Sequence, residues 1–251
     1  MQHTGIYRRR VRQFIDRVME QRYGPTAPLS AEYTYDKKAP IPYGELSKRT
    51  WKPISTGRNW GELWASAWFR LSGSVPSEFA GENVVALVNL GSEGCVFVDG
   101  TPVQGLTDSN RTPSFPTGKR RIDLHARAKG GESVELLIEA GANSLFGYHG
   151  RKEFVFDQAE LAVFRPGVWE LALDLEFLYL LFESLPEDSV RARRLLAGLN
   201  DAANAWAGGD GAESVRAICR KLMSPKAAAS ATTVWSVGHA QTLAIGIEPI
   251  P

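Results

Sequence analysis

The chain contains 251 residues, of which 43% are hydrophobic and 23% are charged, and its formal net charge at pH 7 is +1. This length is enough to bury a sizeable core in one large domain or two modest ones. A net charge so close to zero gives no overall attraction to nucleic acid or to an anionic membrane. No stretch approaches the roughly 18 consecutive apolar residues of a membrane span. We therefore expect neither nucleic acid nor a membrane as a partner.

The cysteines and the first residues bear on the cellular compartment. Cys95 and Cys219 lie far apart in segments of different character, whereas a disulfide framework would use more cysteines. Residues 1–12 are basic but lack the apolar run of a secretory signal. We therefore expect both thiols to be reduced and the protein to be cytoplasmic.

Residues 1–50 predict an N-terminal helix followed by an extended arm. Apolar side chains recur at helical spacing between residues 6 and 22, and most of the arginines lie off that stripe. Gly24 and Pro25 then end the helix. Residues 25–56 are rich in Pro, Tyr and Lys without a sustained period, which predicts an extended segment packed along another part of the chain. The apolar stripe consists of Tyr7, Val11, Phe14, Ile15, Val18 and Met19.

Residues 51–165 show the pattern of short β-strands. Apolar and polar side chains alternate over residues 63–71, as they do in a half-buried strand. Asp99 and Gly100 predict a tight hairpin turn, since Gly readily adopts the positive φ that such a turn needs. Many short strands without intervening helices indicate a β-sandwich of the jelly-roll kind. The other strands are predicted at residues 84–90, 95–98, 101–103, 133–139 and 154–164.

Residues 166–223 predict a small helical connector domain, so that the chain is mainly β with some α. Residues 169–185 are apolar almost all round, as expected of a helix that is covered on several sides. Further helices are predicted at residues 189–206 and 212–223. Residues 224–251 then predict a linker and the first, interrupted strand of a further domain, because the apolar run that begins at Val234 is short.

Four stretches of the sequence carry a family resemblance. They are Gly-Arg-Asn-Trp-Gly at 57–61 leading into Trp-Phe-Arg at 68–70, Glu93 with Val-Asp-Gly-Thr-Pro-Val-Gln-Gly-Leu at 98–106, Glu-Ala-Gly-Ala-Asn-Ser-Leu-Phe-Gly at 139–147, and Val-Gly-His-Ala at 237–240. In this order and spacing they resemble the N-terminal region of bacterial and vacuolar-type α-mannosidases of glycoside hydrolase family 38. These enzymes hydrolyse terminal α-mannosides in glycans.

The resemblance implies a galactose-binding-like jelly-roll β-sandwich, then a helical connector, then a catalytic barrel, whose first strand would be the interrupted one in residues 224–251. In the family that barrel opens with a strand ending Gly-His-Ala-His-x-Asp, whose second His and Asp bind a catalytic zinc. This chain has Gln241 and Leu243 at those positions, and His239 matches the first His, which is not a ligand. We therefore expect an inactive accessory part of an α-mannosidase, with no catalytic residue, no metal site and no cofactor of its own.

Trp60, Trp64 and Trp68 are the candidate binding residues. Because an aromatic face suits the apolar face of a pyranose, these indoles could form a stacking platform for mannose-containing glycans. The chain would then be a free-standing carbohydrate-binding module. The alternative is that they pack the sandwich and its edge against another domain, since large aromatics dominate cores and interfaces. A surface meant for a missing barrel would also favour self-association.

Other acidic and histidine side chains fit no catalytic pattern. Glu170 and Asp174 lie one helical turn apart and point outward together. Glycoside hydrolysis instead needs two carboxyl groups that face each other across a sugar, about 5–9.5 Å apart. His125 and His149 lack the spacing of a zinc site.

Truncation after Met223 tests the interpretation of residues 224–251. A chain that ends there should melt within about 4 °C of the full chain, because an unpaired strand and a proline-containing tail add few contacts. Thermal melting followed by circular dichroism measures the difference. A larger decrease in the melting temperature would show that these residues are part of the folded core.

Overall fold

The computed structural model describes residues 4–37, 39–108, 118–143, 153–206 and 211–223. They form two compact units. The sandwich unit comprises the described residues of 23–164, and the helical unit comprises those of 1–22 and 165–251. None of the described helices is long and apolar enough to cross a membrane.

The sandwich unit is built from antiparallel strands. They are β1 (Tyr23–Pro28), β2 (Ser30–Asp36), β3 (Lys52–Pro53), β4 (Arg58–Glu62), β5 (Ser66–Ser74), β6 (Val84–Asn89), β7 (Glu93–Val98), β8 (Thr101–Leu106), β9 (Arg121–His125), β10 (Ser133–Gly141), β11 (Glu153–Phe156) and β12 (Gln158–Phe164). The six-stranded sheet has the order β3-β2-β5-β10-β7-β8, and the four-stranded sheet has the order β1-β12-β6-β9. A small third sheet pairs β11 with β4.

Side-chain alternation along the strands builds one core between the two larger sheets. On β10 the even-numbered residues, from Val134 to Ala140, are buried, while the odd-numbered residues are half-buried or exposed. The same core contains Phe69 of β5, Ala86 of β6 and Leu161 of β12, so both sheets contribute to it. The predicted β-sandwich is therefore confirmed. The predicted hairpin is confirmed as β7 paired with β8.

The outer face of the six-stranded sheet is partly covered by residues 40–51. This segment contains a short 3-10 helix, Tyr43–Lys48, and buries Ile41 and Leu46 against Trp68 of β5. Its cover ends near Pro40, which borders an open cleft on the same sheet.

The helical unit packs four helices around a separate apolar core. They are α1 (Thr4–Glu20), α2 (Pro166–Ser184), α3 (Val190–Ala205) and α4 (Ala212–Met223). Phe14 of α1, Leu175 of α2 and Leu195 of α3 are fully buried in this core. Ser189 caps α3 by accepting a hydrogen bond from the Ala192 amide at 3.1 Å, as expected of an N-cap serine. The predicted helices are therefore present, with ends that shift by a few residues.

The structure corrects the predicted division of residues 1–50. Their helix belongs to the helical unit, and residues 23–36 form β1 and β2 of the sandwich and not a separate arm. The β1 strand was hidden because it is an edge strand, where prolines such as Pro25 and Pro28 remove no central ladder bond. A strand that pairs along one side tolerates a sequence without clean alternation.

Gly91, in the turn between β6 and β7, cannot accept a side chain. Its φ is +65°, and a Cβ atom there would lie 2.5 Å from the carbonyl oxygen of Val155. Gly91→Ala should therefore lower the free energy of unfolding by about 3 kcal/mol or more in urea denaturation. Gly81→Ala is the matched control, since Gly81 has a φ of +88° but open space around it. Its cost should be only about 1 kcal/mol, and equal losses would contradict the clash.

A partly buried ion pair joins α1 to α2. Arg12 lies 2.9 Å from the carboxylate of Glu176, whose side chain is only 3% exposed. Arg12→Met should lower the free energy of unfolding by about 2 kcal/mol, because the buried carboxylate loses its cationic partner. Adding Glu176→Leu should recover most of that loss. Arg8→Met is the control, since the Arg8 pair with Glu183 is well exposed and should cost under about 1 kcal/mol. No recovery in the double variant would argue against this explanation.

Candidate functional site

Two of the three predicted binding tryptophans are core residues. Trp60 on β4 is 3% exposed, and its indole Nε1 donates a hydrogen bond to the carbonyl oxygen of Leu90 at 2.7 Å. Trp68 on β5 is 1% exposed, and its Nε1 donates to the carbonyl oxygen of Ile41 at 2.8 Å. Both indoles satisfy their single donor inside the protein, so neither offers a ring face to a sugar.

Trp64 differs from the other two because its side chain is 70% exposed. It lies in the turn between β4 and β5, where its φ is +73°. The predicted platform of three indoles is therefore not formed: Trp60 and Trp68 are buried in different apolar clusters, and Trp64 alone faces solvent. The alternative interpretation, in which these aromatics pack the sandwich, holds for Trp60 and Trp68.

Trp64 borders a cleft of about 320 Å³ at one end of the six-stranded sheet. Strand pairing places Gly141 of β10 between Ser66 of β5 and Glu93 of β7, so the ends of these three strands meet there. We call this site the Trp64 cleft, and its side chains that can stack or hydrogen-bond are those of Trp64, Ser66, Glu93, Cys95, Glu139 and Asn143.

The polar groups of the Trp64 cleft are mainly hydrogen-bond acceptors. The Asn143 side-chain amide donates to a Glu93 carboxylate oxygen at 2.7 Å, while its own Oδ1 is buried without a hydrogen-bond partner in the described residues. Burial raises the pKa of the Glu139 carboxyl group. Burial also raises the pKa of the Cys95 thiol, and the negative charge of Glu139 raises it further. Such a thiol is a poor nucleophile at neutral pH.

The Glu170 and Asp174 carboxylates on α2 form ion pairs and do not face each other across a cleft. Both pair with Arg216 of α4, and the Arg216 Nε lies 3.0 Å from the Asp174 carboxylate. These two ion pairs therefore hold α2 against α4.

The described residues do not fit the zinc that the family resemblance implies. Within them, no group of three or more His, Cys, Asp and Glu side chains could hold a metal ion. Gln241 and Leu243, which stand where the family has its ligands, lie outside the described residues. Their amide and hydrocarbon side chains are not zinc ligands of the ordinary kind.

Sequence reasoning missed Glu93, Glu139 and Asn143 as members of one site. All three lie within stretches that carry the family resemblance, and that was the available signal. Their proximity depends on β7 and β10 being neighbours in the sheet, and no spacing along the chain reveals that register.

The order of the strands and their shared core define a jelly-roll β-sandwich, and a small helical unit accompanies it. Residues 27–162 match the family described as "Alpha-mannosidase, jelly roll domain". Because this match covers more than half of the sequence, the chain belongs to that α-mannosidase family. The predicted jelly-roll fold class is confirmed by it.

Similar proteins carry α-mannosidase names. Human alpha-mannosidase 2C1 is 27% identical over 231 residues, which cover 86% of this chain and 21% of the human protein. Alpha-mannosidase G of Dictyostelium discoideum is 25% identical over 260 residues, covering 95% of this chain and 24% of its own length. The chain thus spans about a fifth to a quarter of the length of these curated relatives. Among solved structures, Faecalibacterium prausnitzii beta-glucuronidase aligns with a TM-score of 0.37 and 10% identity over 55% of this chain and 31% of its own, a likeness too slight to bear on function.

Proposed function

We propose that this chain is the non-catalytic N-terminal part of an α-mannosidase of glycoside hydrolase family 38 that hydrolyses terminal α-mannosides in glycans. The observation that carries the proposal is the family match over residues 27–162. The α-mannosidase names of the human and Dictyostelium relatives support it. The sandwich and the helical unit are then accessory parts of a longer enzyme.

We also propose that this chain has no hydrolytic activity of its own. Hydrolysis in the family uses a zinc held by a His and an Asp, and Gln241 and Leu243 stand at the corresponding positions. Gln241 and Leu243 cannot replace these ligands, because zinc in proteins is bound by His, Cys, Asp or Glu.

The alternative proposal is a free-standing carbohydrate-binding module, and the exposed Trp64 beside its cleft favours it. The two proposals differ in what the chain does alone: an accessory part need bind nothing, whereas a binding module must hold mannose or mannobiose.

Self-association and a cytoplasmic location also remain predictions. Light scattering at high protein concentration tests self-association.

The activity prediction is that the purified chain hydrolyses an aryl α-mannoside no faster than buffer, with or without added zinc or cobalt. The released phenol is followed by absorbance. Human alpha-mannosidase 2C1 in the same assay serves as the positive control, since its name records this activity. Turnover that depends on zinc and copurifies with this chain would overturn the assignment as non-catalytic.

A further inference from the structure

Trp64 adopts a backbone conformation that is costly for a bulky residue. Its φ of +73° lies in the left-handed region, which Gly, Asn and Asp tolerate far better. Asp99, the other non-glycine residue with positive φ in the described chain, is of that tolerant kind and sits in the Asp99-Gly100 turn. Burial does not compensate Trp64, because its side chain is 70% exposed. A strained and exposed aromatic points to a function outside the fold.

Backbone hydrogen bonds hold Trp64 in place from both sides. Its amide donates to the carbonyl oxygen of Ala142 at 2.6 Å, and the Ala142 amide donates to that of Ala65 at 2.8 Å. The Ala65 amide donates to the carbonyl oxygen of Glu62 at 3.0 Å. The turn is therefore tied to the end of β10, and a ligand that stacks on the indole would find its backbone already ordered.

The wall beside Trp64 presents hydrogen-bond acceptors, and one of them lacks a donor. Asn143 Oδ1 is buried without a hydrogen-bond partner in the described residues, and the carboxylates of Glu93 and Glu139 line the same cleft. Buried acceptors are normally satisfied, so a ligand here should bring hydroxyl or amine donors. No Lys or Arg of the described chain lines the cleft, which disfavours an anionic ligand.

The size of the cleft limits the ligand. Its volume of about 320 Å³ lies at the lower end of small-molecule sites, which span roughly 300–1,000 Å³. That space suits one sugar ring better than an extended oligosaccharide.

We propose that the Trp64 cleft binds one neutral hexopyranose ring, stacked through its C–H face on the indole and donating its hydroxyl groups to Glu93, Glu139 and Asn143. The site rests on the geometry of the cleft alone. Only the choice of mannose as the hexose rests on the proposed function. Binding of the sugar makes and breaks no covalent bond.

The test is a titration of the full chain with methyl α-D-mannopyranoside, followed through the tryptophan indole NMR signals. The Trp64 indole should shift saturably with a dissociation constant in the millimolar range, about 1–10 mM, as expected for one stacked ring and a few exposed hydrogen bonds. Trp64→Asn removes that signal, so its binding is followed by protection of Cys95 as described below, and it should be weaker by at least about tenfold. The melting temperature of this variant should stay equal or rise by about 2–4 °C, because Asn accepts positive φ. Phe177→Ala, which removes an exposed aromatic of the helical unit, is the matched control and should change nothing.

A chemical readout places the sugar in the cleft independently of the indole. Cys95 lines the cleft, whereas Cys219 is fully buried in the helical unit. Saturating mannoside should therefore slow alkylation of Cys95 by iodoacetamide and leave Cys219 unaffected. Mannose 6-phosphate should protect Cys95 less well, because its phosphate would meet Glu93 and Glu139.

Separate outcomes test the site and the choice of mannose. Absence of a saturable Trp64 shift with the mannoside, the glucoside and the galactoside up to about 50 mM overturns the site. Binding that survives Trp64→Asn also overturns it. Binding of the glucoside or galactoside without the mannoside supports the site and removes mannose as its ligand. The hydrolysis assay answers a different question, so none of these results is confused with a failure of the proposed function.

Discussion

The pairing of β10 with strands on both of its sides is the constraint on which the core and the cleft both depend. Along Ser133–Gly141 it pairs with β5, and over its second half it pairs with β7. Because side chains alternate along a strand, this one register sends Ile138 and Ala140 into the core and turns Glu139 to the outer face. A shift by one residue would bury the Glu139 carboxylate and expose the core side chains. The apolar core therefore fixes the chemistry of the cleft.

The position of the cleft follows from where the outer cover of the sheet stops. Residues 40–51 bury Trp68, and Phe97 and Leu137 pack against the same cluster. Beyond Pro40 the outer face continues with Cys95 and Glu139, which remain only partly covered. Polar side chains at these positions cost little, because solvent still reaches them. The same sheet thus carries an apolar outer surface where it is covered and a polar one where it is open.

The sequence predicted what depends on local pattern. The apolar stripe of α1 has a 3.6-residue period, and the Asp99-Gly100 turn needs only the positive φ that these residues accept. The β1 strand was missed because an edge strand with prolines lacks a two-residue period. The β2 strand does alternate, with Ala31, Tyr33 and Tyr35 on the core side, and the prediction of an extended arm overlooked that period. The tryptophans could not be separated by pattern either. Trp60 is covered from within the sandwich and Trp68 by residues 40–51, and both covers are tertiary contacts.

Trp64 shows why such a site escapes a periodicity argument. The alternation over residues 63–71 assigned Trp64 to a strand, but the strand begins at Ser66 and Trp64 lies in the preceding turn. The alternation of apolar and polar side chains continues into the turn by coincidence. Only the positive φ of Trp64 distinguishes the turn from the strand. The Ala142 and Ala65 hydrogen bonds maintain that angle, so the strain is held by the same strand end that supplies Asn143.

The limited contact area of the proposed site fits a part of a larger protein. A single sugar ring stacked on one indole cannot bind tightly when its hydroxyl groups face partly solvated carboxylates. The free energy gained from each contact then only slightly exceeds the cost of ordering the ligand. The curated relatives are roughly four to five times longer than the stretch they share with this chain. Under the proposed function, a weak sugar site would act on glycans already held by another part of a longer enzyme. Tethering of this kind raises the effective concentration into the millimolar range, where millimolar affinity is sufficient. Weak binding of one sugar ring is therefore consistent with an accessory role. A free-standing binding module would need either a second site or a second copy to reach the same occupancy of the Trp64 cleft by sugar.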